Sequence, residues 1–408
     1  MPSISVVIPV YNAAPFLREA LDSLLAQTCG DFEAIAVNDG STDNSLEILQ
    51  EYAARDSRIR ILDGPNGGYG KAMNRGMDAA TGKYMAILEP DDYLPREAYS
   101  ILLPLAEEHQ LDVVRGTYLS FYEEGGERHY QYAIPLRRPG EVFCPRLEGA
   151  GVFDECPHIW TGLYSMSFLR EYGIRFHESP GASYQDTGFF FLSAAYAERY
   201  MVSEIVSYIY RTDNPNSSIN NVGAKRFLLV DEYAYIQRRL EVSPDVWGAV
   251  YMQFNNYRHM GLLWVSESLM LPERRNFLLE VTQRVQDWSD CGVSPYYRSE
   301  WERIIAAEVG VKKEPQSALL QKSVLGGLMQ IRMSDARTEY RCMGVPIVMR
   351  KKIAVPRILN DGIVAMSDSA NEYCILGIPV IRKSIDIYAL PAPLSCVYAE
   401  YRQQGRTV

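Results

Sequence analysis

The stretch Tyr84-Met85-Ala86-Ile87-Leu88-Glu89-Pro90-Asp91-Asp92 joins an apolar run to three carboxylates packed into four residues. An apolar run without alternation belongs to a strand buried on both faces, the pattern of a parallel sheet covered by helices. In such sheets ligands gather beyond the carboxyl ends of the strands. Acids crowded there repel one another and persist best where a divalent ion or a hydroxyl-rich ligand offsets their charge. Working outward, residues 4–8, 33–37 and 59–62 repeat the apolar run, and helical periodicity fills about residues 15–27, 43–54 and 70–80. This alternation predicts an α/β fold with a Rossmann-like, mostly parallel central sheet and helices on both faces. Pro9-Val10-Tyr11-Asn12 and Asn38-Asp39-Gly40-Ser41 end two of the strands, so three segments converge on one edge.

Further along, Pro95 stands where a first-turn proline would open a helix to about residue 109, and residues 112–118 read as a strand. A Gly125-Gly126 turn suggests a hairpin with residues 128–134. Residues 140–180 are turn-rich and aromatic, residues 185–196 resume a helical pattern, and residues 224–288 form a further helical segment. There Trp247, Tyr251, Phe254, Arg258 and Gly261 share one packed face. In the tail, Glu339-Tyr340 followed by Gly344-Val345-Pro346-Ile347 recurs as Glu372-Tyr373 followed by Gly377-Ile378-Pro379-Val380, 33 residues on. Two copies are too few for a solenoid, which needs about three, and they read as a small duplicated β element.

The expected organisation is an α/β domain over residues 1–220, in two parts, 1–115 and 116–220. A helical region, 221–315, and a small α+β or β tail, 316–408, follow. Net charge is −10, which argues against nucleic acid as a partner because phosphate binding needs a cationic footprint. From residue 341 onward nine basic and five acidic residues give +4, against −14 before it. A basic tail is a candidate for contact with an anionic membrane surface, although a solvated face is the plainer reading. The seven cysteines form no C-x-x-C pair, so neither a zinc ribbon nor a disulfide framework is suggested, and a reducing cytoplasm fits. No signal peptide is expected from Met1-Pro2-Ser3, and no apolar run reaches the ~20 residues of a membrane span. The predicted location is cytoplasmic, with the inner face of the plasma membrane as a peripheral site.

Gly64-Pro65-Asn66-Gly67-Gly68-Tyr69-Gly70-Lys71 fails as a Walker loop at Pro65 and Ala72, and as a dinucleotide fingerprint at Met73. It still permits close backbone approach to a ligand, with Lys71 placed to meet a phosphate; a loop leading into a helix is the alternative. Taken in order, residues 5–12, Val37-Asn38-Asp39-Gly40-Ser41-Thr42-Asp43, Asn74-Arg75-Gly76 with Ala80-Thr81-Gly82, and Leu88-Glu89-Pro90-Asp91-Asp92 resemble family 2 glycosyltransferases of the GT-A fold. Pro180-Gly181-Ala182-Ser183-Tyr184-Gln185-Asp186 resembles the family's acceptor-side acidic motif. Tyr208-Ile209-Tyr210-Arg211 through Ser217-Ser218-Ile219 resembles the segment that follows it in bacterial polysaccharide enzymes. The resemblance covers about residues 1–220.

The resemblance implies a nucleotide-diphosphate sugar donor of UDP-sugar type, a glycan or lipid-linked acceptor, and an inverting, metal-dependent, hexosyltransferase-like reaction. Asp39 would accept a hydrogen bond from the uracil, bordered by Pro9 and Tyr11, with Asn12, Gly68, Lys71 and Asn74 completing the donor side. Asp91 matches the last acid of the D-x-D element, which holds Mn²⁺ or Mg²⁺ against the diphosphate. Glu89 takes the first acid position, where aspartate is usual. Asp186 matches the catalytic base, beside Gln185 on the acceptor side where glutamate is usual. Arg211 would pair with the departing diphosphate, and Trp160 would stack on acceptor sugar. Each has a structural alternative: an Asx turn at Asp39, capping of the helix after Pro95 by Asp91 or Asp92, a helix first turn at Asp186, a core position for Trp160. Two other functions fit less of the chain. One is a sugar nucleotidyltransferase, which would need a basic amino-terminal loop; the other is a degenerate nucleotide-sugar-binding scaffold, suggested by Glu89, Pro90 and Gln185. A homo-oligomer is left open.

Overall fold

The structure, a computed structural model, describes residues 1–132, 138–148, 151–154, 157–217 and 222–284, with short strands between residues 320 and 381. Residues 133–134 of the expected hairpin, Ser218 and Ile219 of the quoted motif, the end of the helical segment and much of the tail lie outside the described residues. The chain opens with β1 (Ile4–Val10), α1 (Ala14–Leu25), β2 (Phe32–Asp39), α2 (Ser45–Arg55), β3 (Ile59–Gly64), α3 (Tyr69–Ala79) and β4 (Tyr84–Ile87). The parallel pairs β1–β2, β2–β3 and β1–β4 give the order β3-β2-β1-β4. Every residue of β1, β2 and β4 is buried, as their unbroken apolar runs require.

Successive side chains then feed two cores. Val7, Ile35, Val37, Met85 and Ile87 face one side with Ala72, Met73 and Met77 of α3. Val6, Ile8, Ala34, Ala36 and Ala86 face the other, with Leu17 and Leu21 of α1, Leu49 of α2 and Leu102 of α4 (Ala98–Glu108). The fold class is therefore α/β, with a sheet between helices on both faces. Helix α4 starts at Ala98 rather than at Pro95, three residues later than expected, and Glu97 occupies its cap position.

The second half of the sheet is mixed. Strands β5 (Val113–Glu124) and β6 (Glu127–Tyr132) form the hairpin, with β7 (Val142–Phe143), the short helix α5 (Pro145–Glu148), β8 (Gly162–Ser165), α6 (Met166–Glu171), α7 (Gln185–Tyr196) and β9 (Tyr200–Arg211) beyond it. β8 lies antiparallel between β4 and β5, and β9 pairs parallel with β5. Neither β8 nor β9 was apparent in the sequence, and β9 carries three site residues. Helices α8 (Val222–Glu241), α9 (Pro244–Glu267) and α10 (Leu271–Arg284) replace the single helical segment, broken before Pro244 and before Leu271. Ile236, Phe254 and Phe277 from these helices share one core with Phe189 to Phe191 of α7.

The chain divides into two compact units, Met1–Val309 and Gly310–Val408. In the second, the two repeat copies fall on antiparallel pairs: β12 (Arg337–Cys342) with β13 (Val345–Ile347), and β16 (Tyr373–Ile375) with β17 (Ile378–Ile381). Strands β10 (Leu320–Val324) and β11 (Met329–Ser334) precede them, and β14 (Arg357–Leu359) with β15 (Gly362–Val364) lies between. Among the described residues no helix is long and apolar enough to cross a membrane.

Candidate active site

The loops after β1, β2 and β4 meet as the sequence suggested. Tyr11, 51% exposed, lies just past β1, while Pro9 is buried within it. Asn12 adopts φ 50° and ties the two loops together: its Oδ1 accepts the Thr42 N–H at 2.7 Å and its own N–H donates to Ser41 Oγ at 3.1 Å. Asp39 does not make the Asx turn; Asn38 does, through Ser41 N–H to Asn38 Oδ1 at 3.3 Å. Both Asp39 oxygens instead accept the N–H groups of Gly67 and Gly68, each at 2.9 Å.

The glycine-rich stretch bends toward protein. Gly68 has φ 89°, and a Cβ there would meet Gly181 backbone at 3.0 Å. Tyr69 N–H donates to Gly181 O at 3.0 Å, and a Cβ at Gly70 would overlap the His177 carbonyl. Asn74 is engaged in the same junction: its Nδ2 donates to Phe176 O and Glu178 Oε1, and its Oδ1 accepts the Phe176 N–H. Lys71 remains exposed. The glycines thus let α3 lie directly on residues 176–181, which lead into α7. Gly70→Ala is expected to destabilise the domain by about 1–3 kcal/mol, because the new methyl meets backbone that cannot rotate away; a urea melt of the two proteins checks it.

The acids of residues 89–92 part company. Glu89 accepts the Tyr69 O–H at 2.6 Å, and its N–H donates to Tyr208 Oη at 2.9 Å. Burial foremost pushes its carboxyl up to about 8; the Tyr69 bond opposes this, and the Asp91 and Asp186 charges add to it. Asp91 accepts Asn214 Nδ2 on Oδ2 at 2.7 Å, and among the described residues Oδ1 has no hydrogen bond. Asp92, 1% exposed, turns away from α4 and accepts the Arg211 N–H at 2.7 Å, so it latches β9 instead of capping a helix. Its Oδ2 lacks a partner within hydrogen-bonding distance among the described residues. Burial and then the Asp91 charge raise its carboxyl well above the usual range, an effect the Arg211 N–H and the Tyr208 hydroxyl partly offset.

Asp186 occupies the first turn of α7, after Tyr184 at φ 62°. It accepts the Thr187 N–H at 2.9 Å, and burial first, then the Glu232 charge, push its carboxyl up to about 6. Its charge acts on Glu89, Tyr69 and Tyr210, so it shares one site with the β4 acids although some 95 residues separate them. Gln185 is buried and holds the preceding loop, donating to Ser179 Oγ at 2.8 Å and Gly181 O at 3.1 Å. Arg211 is 5% exposed and bound to protein, with Glu19 at 2.7 Å, Asp213 at 3.3 Å and the Asp91 carbonyl at 3.1 Å; its guanidinium lies over Phe16 and Phe121. Its charge is thus already matched within the fold. Trp160 stacks on Tyr208 at 4.3 Å and on Tyr210 at 5.4 Å, with Tyr118 edge-on at 4.9 Å, in an aromatic wall beside the acids.

Tyr69, Tyr208, Tyr210 and Asn214 were missed as site residues, although all four fall within quoted stretches, Asn214 between the two named ends of residues 208–219. For the metal, no three His, Cys, Asp or Glu among the described residues converge on one point. The half-exposed Asp91 with a free oxygen, near Glu89, fits instead a cation that one or two carboxylates share with substrate phosphates.

The site lies on a mixed sheet of order β3-β2-β1-β4-β8-β5-β9-β7 with helices on both faces and acids just past β4, which defines an α/β fold. Two solved structures agree in fold: S. aureus TarS 1–349, TM-score 0.55 at 22% identity over 83% of this chain and 98% of that one, and the same protein with UDP-GlcNAc, TM-score 0.56 at 21% identity over 84% and 99%. Residues 5–172 match Glycosyl transferase family 2, so this part of the chain is similar to that family. Its curated relatives include the glycosyltransferases EpsJ of Bacillus subtilis, 35% identical over 53% of this chain, and YibD of Escherichia coli, 35% identical over 52%. The chain spans 63% and 65% of their respective lengths.

Proposed function

We propose that this protein is an inverting glycosyltransferase that moves a sugar from a nucleotide-diphosphate sugar, of UDP-sugar type, to a glycan or lipid-linked acceptor in surface polysaccharide synthesis. The observation that carries this reading is that Tyr69 bonds both Glu89, after β4, and Gly181, in the loop leading to Asp186 on α7, and that the Asp186 and Asp91 charges both act on Glu89. Inversion needs a single base to take the acceptor hydroxyl's proton as that oxygen attacks the anomeric carbon. A carboxyl at about 6 is largely ionised at neutral pH yet more basic than an ordinary aspartate, which suits Asp186 to that role.

Asp91 is the residue that would hold Mn²⁺ or Mg²⁺, which when bound would neutralise charge on the departing nucleotide diphosphate. Tyr69 orients Glu89, and Asn214 orients Asp91. The donor base would lie between Tyr11 and the Asp39 loop, where Asp39 keeps Gly67 and Gly68 in place and retains lone pairs for an imide N–H. The acceptor would lie against the Trp160, Tyr118 and Tyr210 wall, which offers ring faces and edges to a sugar. Contact of the basic tail with an anionic membrane belongs to the same proposal.

The deciding experiment incubates the full chain with a panel of nucleotide sugars and Mn²⁺, with and without glycan acceptors, and follows nucleotide diphosphate. Acceptor-dependent release with inverted anomeric configuration in the product supports the reading. Retained configuration, or pyrophosphate release from a nucleoside triphosphate and a sugar phosphate, overturns it.

A further inference from the structure

Behind Asp186 lies a second acid that no sequence motif marked. Glu232 on α8 is fully buried, at 0% exposure. Its Oε1 fills the space that a Cβ at Gly188 would need, so the carboxylate rests on the first turn of α7, two residues from Asp186 in sequence. Oε2 meets His177 Nδ1 at 2.8 Å, and the His177 ring stacks on Tyr235 at 4.5 Å and 4°. The acid is therefore held from both sides: a glycine notch admits it, and an imidazole anchors it.

A buried carboxylate against another helix costs stability unless something offsets it. Oε1 lies against Gly188, whose backbone N–H is a nearby group that favours its charged form. Burial raises the Glu232 carboxyl, with His177 opposing. Its charge acts on His177, on Tyr233 and Tyr235 of its own helix, and, across to α7, on Asp186. Gln185 is neutral where an acid would otherwise flank Asp186. The other groups acting on or acted on by Asp186 are Tyr69 of α3, Glu89 after β4, Tyr184 before α7, Tyr210 of β9 and Tyr233 of α8. Of these only Glu89 carries a carboxyl, and it is itself bonded to Tyr69.

We propose that Glu232 is a positioning residue for Asp186: seated in the Gly188 notch and anchored by His177, its carboxylate sets the proton affinity of the base across the α7–α8 contact. The inference rests on the assignment of Asp186 as base, and it predicts a direction. A like charge nearby raises a carboxyl's pKa, so Glu232→Gln, which keeps the shape and the His177 contact, must lower that of Asp186.

Two readouts separate this inference from the function it rests on. The first is a carbon-13 carboxyl NMR titration of the substrate-free protein, with Asp186→Asn used to assign the Asp186 resonance. The Asp186 midpoint is expected to fall in Glu232→Gln and to return in Glu232→Asp. Gly188→Ala, which displaces the carboxylate but keeps it, is expected to lower the midpoint as well. The second is the pH profile of kcat/KM for transfer, whose acid limb is expected to move to lower pH while donor KM stays within about two-fold. An unmoved midpoint in a folded Glu232→Gln overturns the inference whatever the activity. A moved midpoint with an unmoved acid limb overturns the link to catalysis. Full transfer by Asp186→Asn overturns the base assignment and this role with it, while the NMR result still reports on the contact. If Glu232→Gln does not fold, Gly188→Ala and His177→Gln carry the titration, and midpoints unmoved in both overturn the inference.

Discussion

Asp186→Asn is expected to lower kcat for sugar transfer by about 10²–10⁴-fold while donor affinity stays within about two-fold. The amide keeps the size of the side chain and its contact to the Thr187 N–H but cannot take a proton. Single-turnover transfer together with calorimetric titration of the donor separates the two effects. The pH dependence follows from the same group. Its carboxyl is pushed up to about 6, so the active, ionised form grows as pH rises through about 6 and is lost below it. Wild-type kcat/KM is therefore expected to fall tenfold per unit on the acid side, a limb absent from residual Asp186→Asn activity. An Asp186→Asn protein with wild-type turnover would remove this residue from the chemistry.

Asp91→Ala is the second large effect. Removing the carboxylate whose Oδ1 is free for a cation is expected to lower metal-supported transfer by about 10²–10³-fold, the scale of losing one group that stabilises developing charge. Donor affinity measured with Mn²⁺ is expected to fall toward the value without it. Asp92→Asn should behave differently: the side chain is buried and latches the Arg211 N–H, so its replacement acts on the fold. Thermal melts with and without Mn²⁺ distinguish the two. A metal-dependent rise in melting temperature should vanish in Asp91→Ala and persist in Asp92→Asn. Equal metal response in wild type and Asp91→Ala would sink the assignment.

Much of the fold was legible because the information is local. Unbroken apolar runs separated by helical periods produced β1 to β4 and α1 to α3 close to their observed ends, and residues 185–196 coincide with α7. β8 was not legible because Gly162 to Ser165 is four residues long and mixed in polarity. β9 was hidden because its sequence, with Ser203, Glu204 and Ser207 among aromatics, shows no clean alternation, and its partner residues in β5 lie 87 to 90 positions upstream. Missing β9 also hid what surrounds Arg211. That side chain is committed to Glu19 on α1, 192 residues away, so a cation that looked available for a diphosphate is already neutralised.

The candidate site divides in the same way. The chain's own order of residues determined that acids follow β4, that Asp39 ends β2 and that Asp186 opens a helix, because these depend only on neighbours in sequence. Folding decided what each of them does. It gave both Asp39 oxygens to Gly67 and Gly68, turned Asp92 inward and left Asp91 facing out. It also buried Glu232 against Gly188. The reason is physical: apolar periodicity is a property of adjacent residues, whereas a carboxyl's proton affinity and reach depend on burial and on charges a few ångströms away, and only the packed tertiary structure brings those together.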